Sequence, residues 1–242
     1  MTMATGLLVQ SLSVKRGGRA IVDSISLSVK SGEIVGLIGP NGAGKSTAFH
    51  AIVGLIPCTA SRLELDGVDL SRLAMFQRAR RGLGYLPQEP TGFHGMTVKD
   101  NLRAVMEIAI PRSERRDLLA RLLSDFDLEK LANQRADSLS GGERRRLELA
   151  RTMASRPKVV LLDEPFAGVD PISIEGLQAT IRKVRDLGVG VLITDHNVRD
   201  MLKLVDRAVL IDRGSVLIEG TPSEITADKS ARNRYFGEGF DY

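Results

Sequence analysis

The segment Gly39-Pro40-Asn41-Gly42-Ala43-Gly44-Lys45-Ser46 constrains this chain more than any other. It fits G-x-x-x-x-G-K-[ST], the pattern of a phosphate-binding loop. Glycines at these spacings let backbone N–H groups converge on an anion without Cβ clashes. A helix opening at Lys45 points its positive end at the same anion. The apolar run Glu33-Ile34-Val35-Gly36-Leu37-Ile38 precedes the loop and reads as a buried strand. Strand, glycine loop and helix in this order begin an α/β fold: a mostly parallel sheet with helices on both faces. Lys45 is placed to reach β- and γ-phosphates, Ser46 to ligate Mg²⁺, and Thr47 to offer a hydroxyl to the α-phosphate.

The rest of the chain extends that plan. Leu7–Val14 and Ile21–Val29 alternate and read as antiparallel strands turned near Gly17-Gly18, and Ser61–Leu70 reads as a strand with a turn at Asp66-Gly67. These form an antiparallel β subdomain. Gly82–Leu86, Val159–Leu162, Gly190–Thr194 and Ala208–Asp212 read as strands, the last turned at Gly214-Ser215 into a hairpin. Thr97 to about Arg156 is helical in pattern and reads as an inserted α-helical subdomain. The expected division is a core lobe of residues 1–89 and 157–242, with a helical lobe over 90–156.

Composition narrows the function classes. With 242 residues the chain can bury a sizeable core unaided. Trp is absent and aromatics are 4%, which disfavours stacking platforms for single-stranded nucleic acid, so no nucleic-acid partner is expected. The +4 net charge comes from mixed basic and acidic residues and reads as a solvated surface. A single cysteine, Cys58, fits a reducing compartment. Met1–Ser11 shows no signal-peptide pattern and no apolar run reaches a membrane span, so a soluble cytoplasmic chain is expected.

Two more segments carry chemistry. Val159-Val160-Leu161-Leu162-Asp163-Glu164 is a buried strand ending in two carboxylates. Asp163 is placed to hold Mg²⁺ or its water shell, and Glu164 to orient and polarise the attacking water. Leu139-Ser140-Gly141-Gly142-Glu143 opens a helix with a capping box. A hydroxyl, two glycines and a helix N-terminus also make a second anion grip. One chain already has a phosphate loop, so the second grip serves another nucleotide in a head-to-tail pair of chains.

With these motifs the sequence resembles an ATP-binding-cassette ATPase over nearly its whole length: the phosphate loop, Gln88, the Leu139–Glu143 signature, the Asp163-Glu164 strand, Asp170 and His196, in the family's order. The resemblance implies a P-loop NTPase (RecA-like) core, ATP and Mg²⁺ as ligands, and a homodimer. It implies that Gln88 touches Mg²⁺ and the attacking water and that His196 contacts the γ-phosphate. Asp170 is implied at the dimer seam, while locally it also reads as a helix N-cap before Pro171. Members of the family often stack adenine on an aromatic in the first hairpin. Here that stretch is Val14-Lys15-Arg16-Gly17-Gly18, where Val14 offers an apolar face and Arg16 a guanidinium plane.

Within the family, residues 80–89, 138–146, 161–173 and 192–199 and the tail Tyr235–Phe240 are similar to the branch that powers lipopolysaccharide export. That similarity implies two integral membrane permease subunits, a bitopic periplasmic accessory subunit, membrane contact only through partners, and a place on the cytoplasmic face of a Gram-negative inner membrane. Phe93 and His94 read either as a groove for a short helix of each membrane subunit or, for Phe93, as a plug in the joint between lobes. Arg144, Arg145 and Arg146 read as a solvated face paired with Glu148. Two other readings share the motifs: the ATPase of another transporter, such as a branched-chain amino acid importer, and a soluble cassette ATPase without a transporter.

Overall fold

The computed structural model describes residues 6–237 and 239–240, so Met1–Thr5 and Glu238 of the tail lie outside the described residues. Strands β1 (Gly6–Arg16) and β2 (Arg19–Lys30) form a hairpin, and β1 also pairs with β4 (Arg62–Leu65), which pairs with β5 (Val68–Asp69). This is a four-stranded antiparallel sheet in the order β2-β1-β4-β5. A second sheet contains β3 (Ile34–Ile38), β6 (Leu83–Leu86), β7 (Val159–Asp163), β8 (Gly190–Thr194), β9 (Arg207–Asp212) and β10 (Ser215–Gly220). Its order is β10-β9-β3-β8-β7-β6. All its pairings are parallel except that of β10 with β9.

The β3, β7 and β8 strands are buried along their full length, as continuous apolar runs demand when both sheet faces are covered. Successive side chains enter two different cores. Ile34, Ile38, Leu86, Val160, Leu162, Val191 and Ile193 face one side, and Val35, Leu37, Leu161, Leu192 and Val209 the other. The first core is shared with α3 (Val98–Ala109), α4 (Arg115–Asp125), α5 (Gly141–Met153), α6 (Pro171–Asp186), α7 (Val198–Leu202) and α8 (Pro222–Ala227). The second holds α1 (Lys45–Val53) and the antiparallel sheet.

Helices lie on both faces of the parallel sheet, as expected. On the second face α1 is accompanied by the antiparallel sheet, because Leu7, Val9, Leu12, Val22, Ile25 and Leu27 form an apolar side that must also be covered. The sequence reading missed α2 (Met75–Arg81). Seven residues give too little periodicity, and the helix is held from outside by a buried side chain. Arg78 donates to the carbonyls of Ala51 (2.8 Å) and Ile52 (2.6 Å), satisfying the open C-terminal end of α1. Among the described residues no helix is long and apolar enough to cross a membrane.

Candidate functional site

The phosphate loop leaves the C-terminal edge of β3 and enters α1 without a side-chain N-cap, so the first-turn N–H groups of α1 remain open to an anion. Gly44 stands at the cap with φ 106°, and a Cβ there would lie 2.8 Å from the Ile21 carbonyl oxygen. Only glycine fits that turn. Lys45 Nζ bends back and donates to the carbonyls of Gly39 (2.7 Å) and Pro40 (3.0 Å), which hold it over the loop.

Asn41, Gly42, Gly44, Lys45, Ser46, Thr47, Glu164 and His196 line one cavity of about 190 Å³ with Ile21. The strands β7 and β8 bring in the last two of the named polar side chains from distant sequence. His196 Nε2 lies 2.7 Å from Glu164 Oε1, within ion-pairing distance. Glu164 itself sits at φ 50°, a strained backbone for a side chain of this size, and its N–H donates to the Thr194 carbonyl. Burial raises Glu164 above its ordinary value, while His196 pulls it part of the way back. Burial likewise raises Asp163 and Asp195 and lowers Lys45.

Asp163 accepts a hydrogen bond from the Tyr85 hydroxyl (3.3 Å) through Oδ2. Its Oδ1, and Oε2 of Glu164, are buried without a hydrogen-bond partner. Glu164 lines the cavity with Ser46, while Asp163, the residue before it, does not line it; buried carboxylate oxygens without partners are what a hard cation and its waters satisfy, so these residues fit Mg²⁺. Gln88 is not among the residues that line this cavity; it lies in an exposed stretch after β6.

A second cavity, of about 470 Å³, adjoins the first through Thr47 and Ile21. Val14, Ile56, Pro57, His50, Lys15 and Arg16 complete its wall. The slot is mostly aliphatic, with His50 as its one ring. His50 packs edge-on against Tyr85 at 6.4 Å between centroids.

The signature lies elsewhere. None of Ser140, Gly141, Gly142 and Glu143 lines the phosphate-loop cavity of its own chain. Ser140 caps α5: its hydroxyl accepts from the Glu143 N–H and donates to Glu143 Oε2 at 2.8 Å. Gly142 has an additional duty inside the chain, since a Cβ there would lie 2.8 Å from Cβ of Ser173. Ser173 is in the first turn of α6, whose N-cap is Asp170, with Oδ1 accepting from the Ser173 N–H at 3.0 Å. Asp170 thus fulfils the cap reading.

The solvated-face reading of the arginines is corrected at Arg145. Its side chain and that of Glu148 are 6% and 3% exposed and form an ion pair at 2.8 Å. Arg145 lies on the side of α5 that meets the end of β7, where backbone carbonyls need donors. No spacing in the sequence distinguishes it from Arg144 and Arg146. Asp195, also unflagged, accepts from the N–H groups of Phe166 and Asn197 at 2.8 Å each, tying the turn after β7 to the turn after β8.

Phe93 does not plug the joint between lobes. Its side chain is 48% exposed, and Arg151 stacks on the ring at 4.9 Å. Buried Asn101 fixes its backbone, accepting from Phe93 N–H (2.9 Å) and donating to Phe93 O (3.0 Å). His94 is exposed beside it. The tail aromatics Tyr235, Phe236 and Phe240 gather against His196–Arg199, with Arg199 over Phe240 at 5.4 Å.

The family profile described as ABC transporter matches residues 22–167. The lipopolysaccharide export system ATP-binding protein LptB of Escherichia coli strain K12 is 48% identical over 240 residues, covering 98% of this chain and 99% of that protein. LptB of Haemophilus influenzae is 45% identical, covering 97% and 98%. A solved ATP-binding cassette of an ABC transporter, in an ADP conformation, superposes with a TM-score of 0.85 at 25% identity, covering 96% of this chain and 99% of the other. With its phosphate loop, paired carboxylates and signature held on this fold, the chain belongs to the ABC transporter family as an ATP-hydrolysing, LptB-like cassette.

Proposed function

We propose that this chain hydrolyses ATP to power extraction of lipopolysaccharide from the inner membrane for export. What carries the reading is the full-length similarity to the LptB proteins, joined to a cavity that places Lys45, Ser46, Glu164 and His196 together. In this reading the core lobe (1–89 and 157–242) and the helical lobe (90–156) are the moving units. Two chains face each other, and the loop Gly39–Thr47 of one and Ser140–Glu143 of the other grip the same triphosphate. Asp170 of each chain couples the two sites across the seam.

Lys45 releases its hold on the Gly39 and Pro40 carbonyls and donates to β- and γ-phosphate oxygens. The loop N–H groups and the Thr47 hydroxyl take the remaining charge. Ser46, Asp163 and Gln88 would hold Mg²⁺, which supplies positive charge against the phosphates. Glu164 Oε2 accepts a proton from the attacking water, and its raised basicity suits that task. His196, beside Oε1, steadies the carboxylate and reaches the γ-phosphate. Loss of the γ-phosphate removes the bond that joins the two chains, and the pair opens.

The adenine lies in the aliphatic slot against Val14. The Phe93–His94 surface receives a helix from each of two integral permease subunits, with a bitopic periplasmic accessory subunit completing the exporter. The chain sits on the cytoplasmic face of a Gram-negative inner membrane and touches lipid only through these partners.

The test is purification of the tagged chain from its native membranes. Integral subunits with bound lipopolysaccharide are expected to accompany it. Phe93→Ala should weaken that assembly by about 30-fold, the loss of a ~2 kcal/mol hot spot. A complex carrying a soluble amino acid receptor, or no membrane protein, would refute the assignment.

A further inference from the structure

The nucleotide chemistry leaves one buried group unused. Between α2, β6, α3 and α5 lies a cavity of about 230 Å³, lined among others by Met75, Tyr85, Thr91, Val105, Glu148 and Arg151. Phe93 is joined to the cavity through Arg151, a lining residue that stacks on its ring. Glu148 is 3% exposed, and its Oε1 has no hydrogen-bond partner. A buried carboxylate oxygen left unpaired is costly, and because Glu148 lines this cavity, a small shift of its side chain would bring that oxygen to a donor entering from outside.

The other oxygen, Oε2, accepts from Arg145 Nη1 at 2.8 Å. The rest of that guanidinium is spent on backbone carbonyls. Nη1 donates to Pro87 O (3.1 Å), Nη2 to Asp163 O (3.1 Å) and Glu164 O (3.0 Å), and Nε to Pro165 O (3.1 Å). One planar fork therefore touches the residue before Gln88 and three consecutive residues of the hydrolytic turn. It does so from α5, the helix whose N-terminus carries the signature. Arg145 also spans the two half-sites of one chain, since α5 serves the neighbour's nucleotide and Glu164 its own. Glu164 sits there at a strained φ of 50°, a conformation that persists only while its surroundings hold it.

We infer that the Arg145–Glu148 pair is a positioning device that carries occupancy of the Phe93 groove to Glu164. The occupant is a helix of a membrane subunit that places a hydrogen-bond donor on Glu148 Oε1. This rests on the docking reading given above. A donor arriving at Oε1 shares the Glu148 charge and reorients the carboxylate. Arg145 follows it, and the carbonyls of Asp163, Glu164 and Pro165 follow Arg145. Neither residue touches the reacting atoms.

The experiment measures kcat and KM for ATP in the isolated chain and in its complex with the membrane subunits, for wild type, Arg145→Lys and Glu148→Gln. Lysine lacks the planar fork and cannot reach four carbonyls at once. Arg145→Lys is expected to lower kcat about tenfold while KM stays within about twofold, because the phosphate grip is untouched. In Glu148→Gln the membrane subunits should still co-purify, but the ratio of kcat in the complex to kcat alone should fall to about one. The double variant Arg145→Met/Glu148→Leu replaces the buried pair by apolar volume, and because it also removes the donor to four carbonyls its folding is checked by circular dichroism. It should show the same lost ratio.

A wild-type ratio in Glu148→Gln or in the double variant, or a rise in KM with kcat intact in Arg145→Lys, would overturn the inference. Failure of the docking reading looks different: wild-type chain would then not co-purify with membrane subunits at all.

Discussion

At the scale of single residues, chemistry here is made by pairs that no local stretch of sequence contains. Glu164 lies just beyond β7 and His196 beyond β8, yet they meet at 2.7 Å over the phosphate loop. Glu164→Gln keeps size and polarity but removes the proton acceptor. Its kcat should fall about 10²–10⁴-fold in a steady-state phosphate-release assay, with ATP binding retained. Turnover within tenfold of wild type would exclude Glu164 from that role. The base slot makes a second claim. With the base placed there as proposed, the walls of Val14, Ile21, Ile56 and Pro57 would grip a purine by its faces and read little of its edge. His50, able to donate or accept, does not discriminate an amino group from a carbonyl. GTP and ATP should therefore show kcat/KM values within about tenfold, a difference below ~1.4 kcal/mol. A preference of a thousandfold in competition assays would contradict this.

At the scale of elements, the order of strands and helices was legible because buried strands are continuous apolar runs and the glycine loop has one structural use. Gly39–Thr47 follows β3, and Asp163 closes β7 with Glu164 just after it, which made them legible as candidates; His196, two residues beyond β8, came from the family resemblance. What could not be read was decided by packing between segments. The α2 helix depends on Arg78 reaching the end of α1. Arg145 and Glu148 look like surface charges in sequence, and become a buried pair only because α5 lies against the end of β7. Tyr85 and Asp195 hold Asp163 and Phe166 across tens of residues, Asn101 holds Phe93 across eight, and none of them leaves a spacing signal. The contact of α5 with α6 makes a prediction of its own. In Gly142→Ala the new Cβ meets Ser173 at 2.8 Å, so stability should drop by about 1–3 kcal/mol in chemical denaturation. Adding Ser173→Gly should restore most of that loss; independent, additive effects would show that the two helices do not crowd there.

At the scale of the whole molecule, the phosphate-loop cavity and the Ser140–Glu143 helix start, the two half-sites of the proposed pair, do not meet within one chain. Its phosphate loop, with Glu164 and His196, lines one cavity, and Ser140–Glu143 contributes nothing to that cavity. The account therefore requires a second copy to finish each site. A closed pair gains the Ser140 hydroxyl and the N-terminus of α5 on the γ-phosphate, and loses them when that phosphate leaves. The sedimentation equilibrium of Glu164→Gln, with and without Mg²⁺-ATP, measures this most directly. The account predicts a monomer without nucleotide, a dimer holding two ATP molecules with it, and a monomer again when Ser140→Arg is added. A Glu164→Gln chain that stays monomeric with ATP bound, or a dimer indifferent to Ser140→Arg, would contradict it.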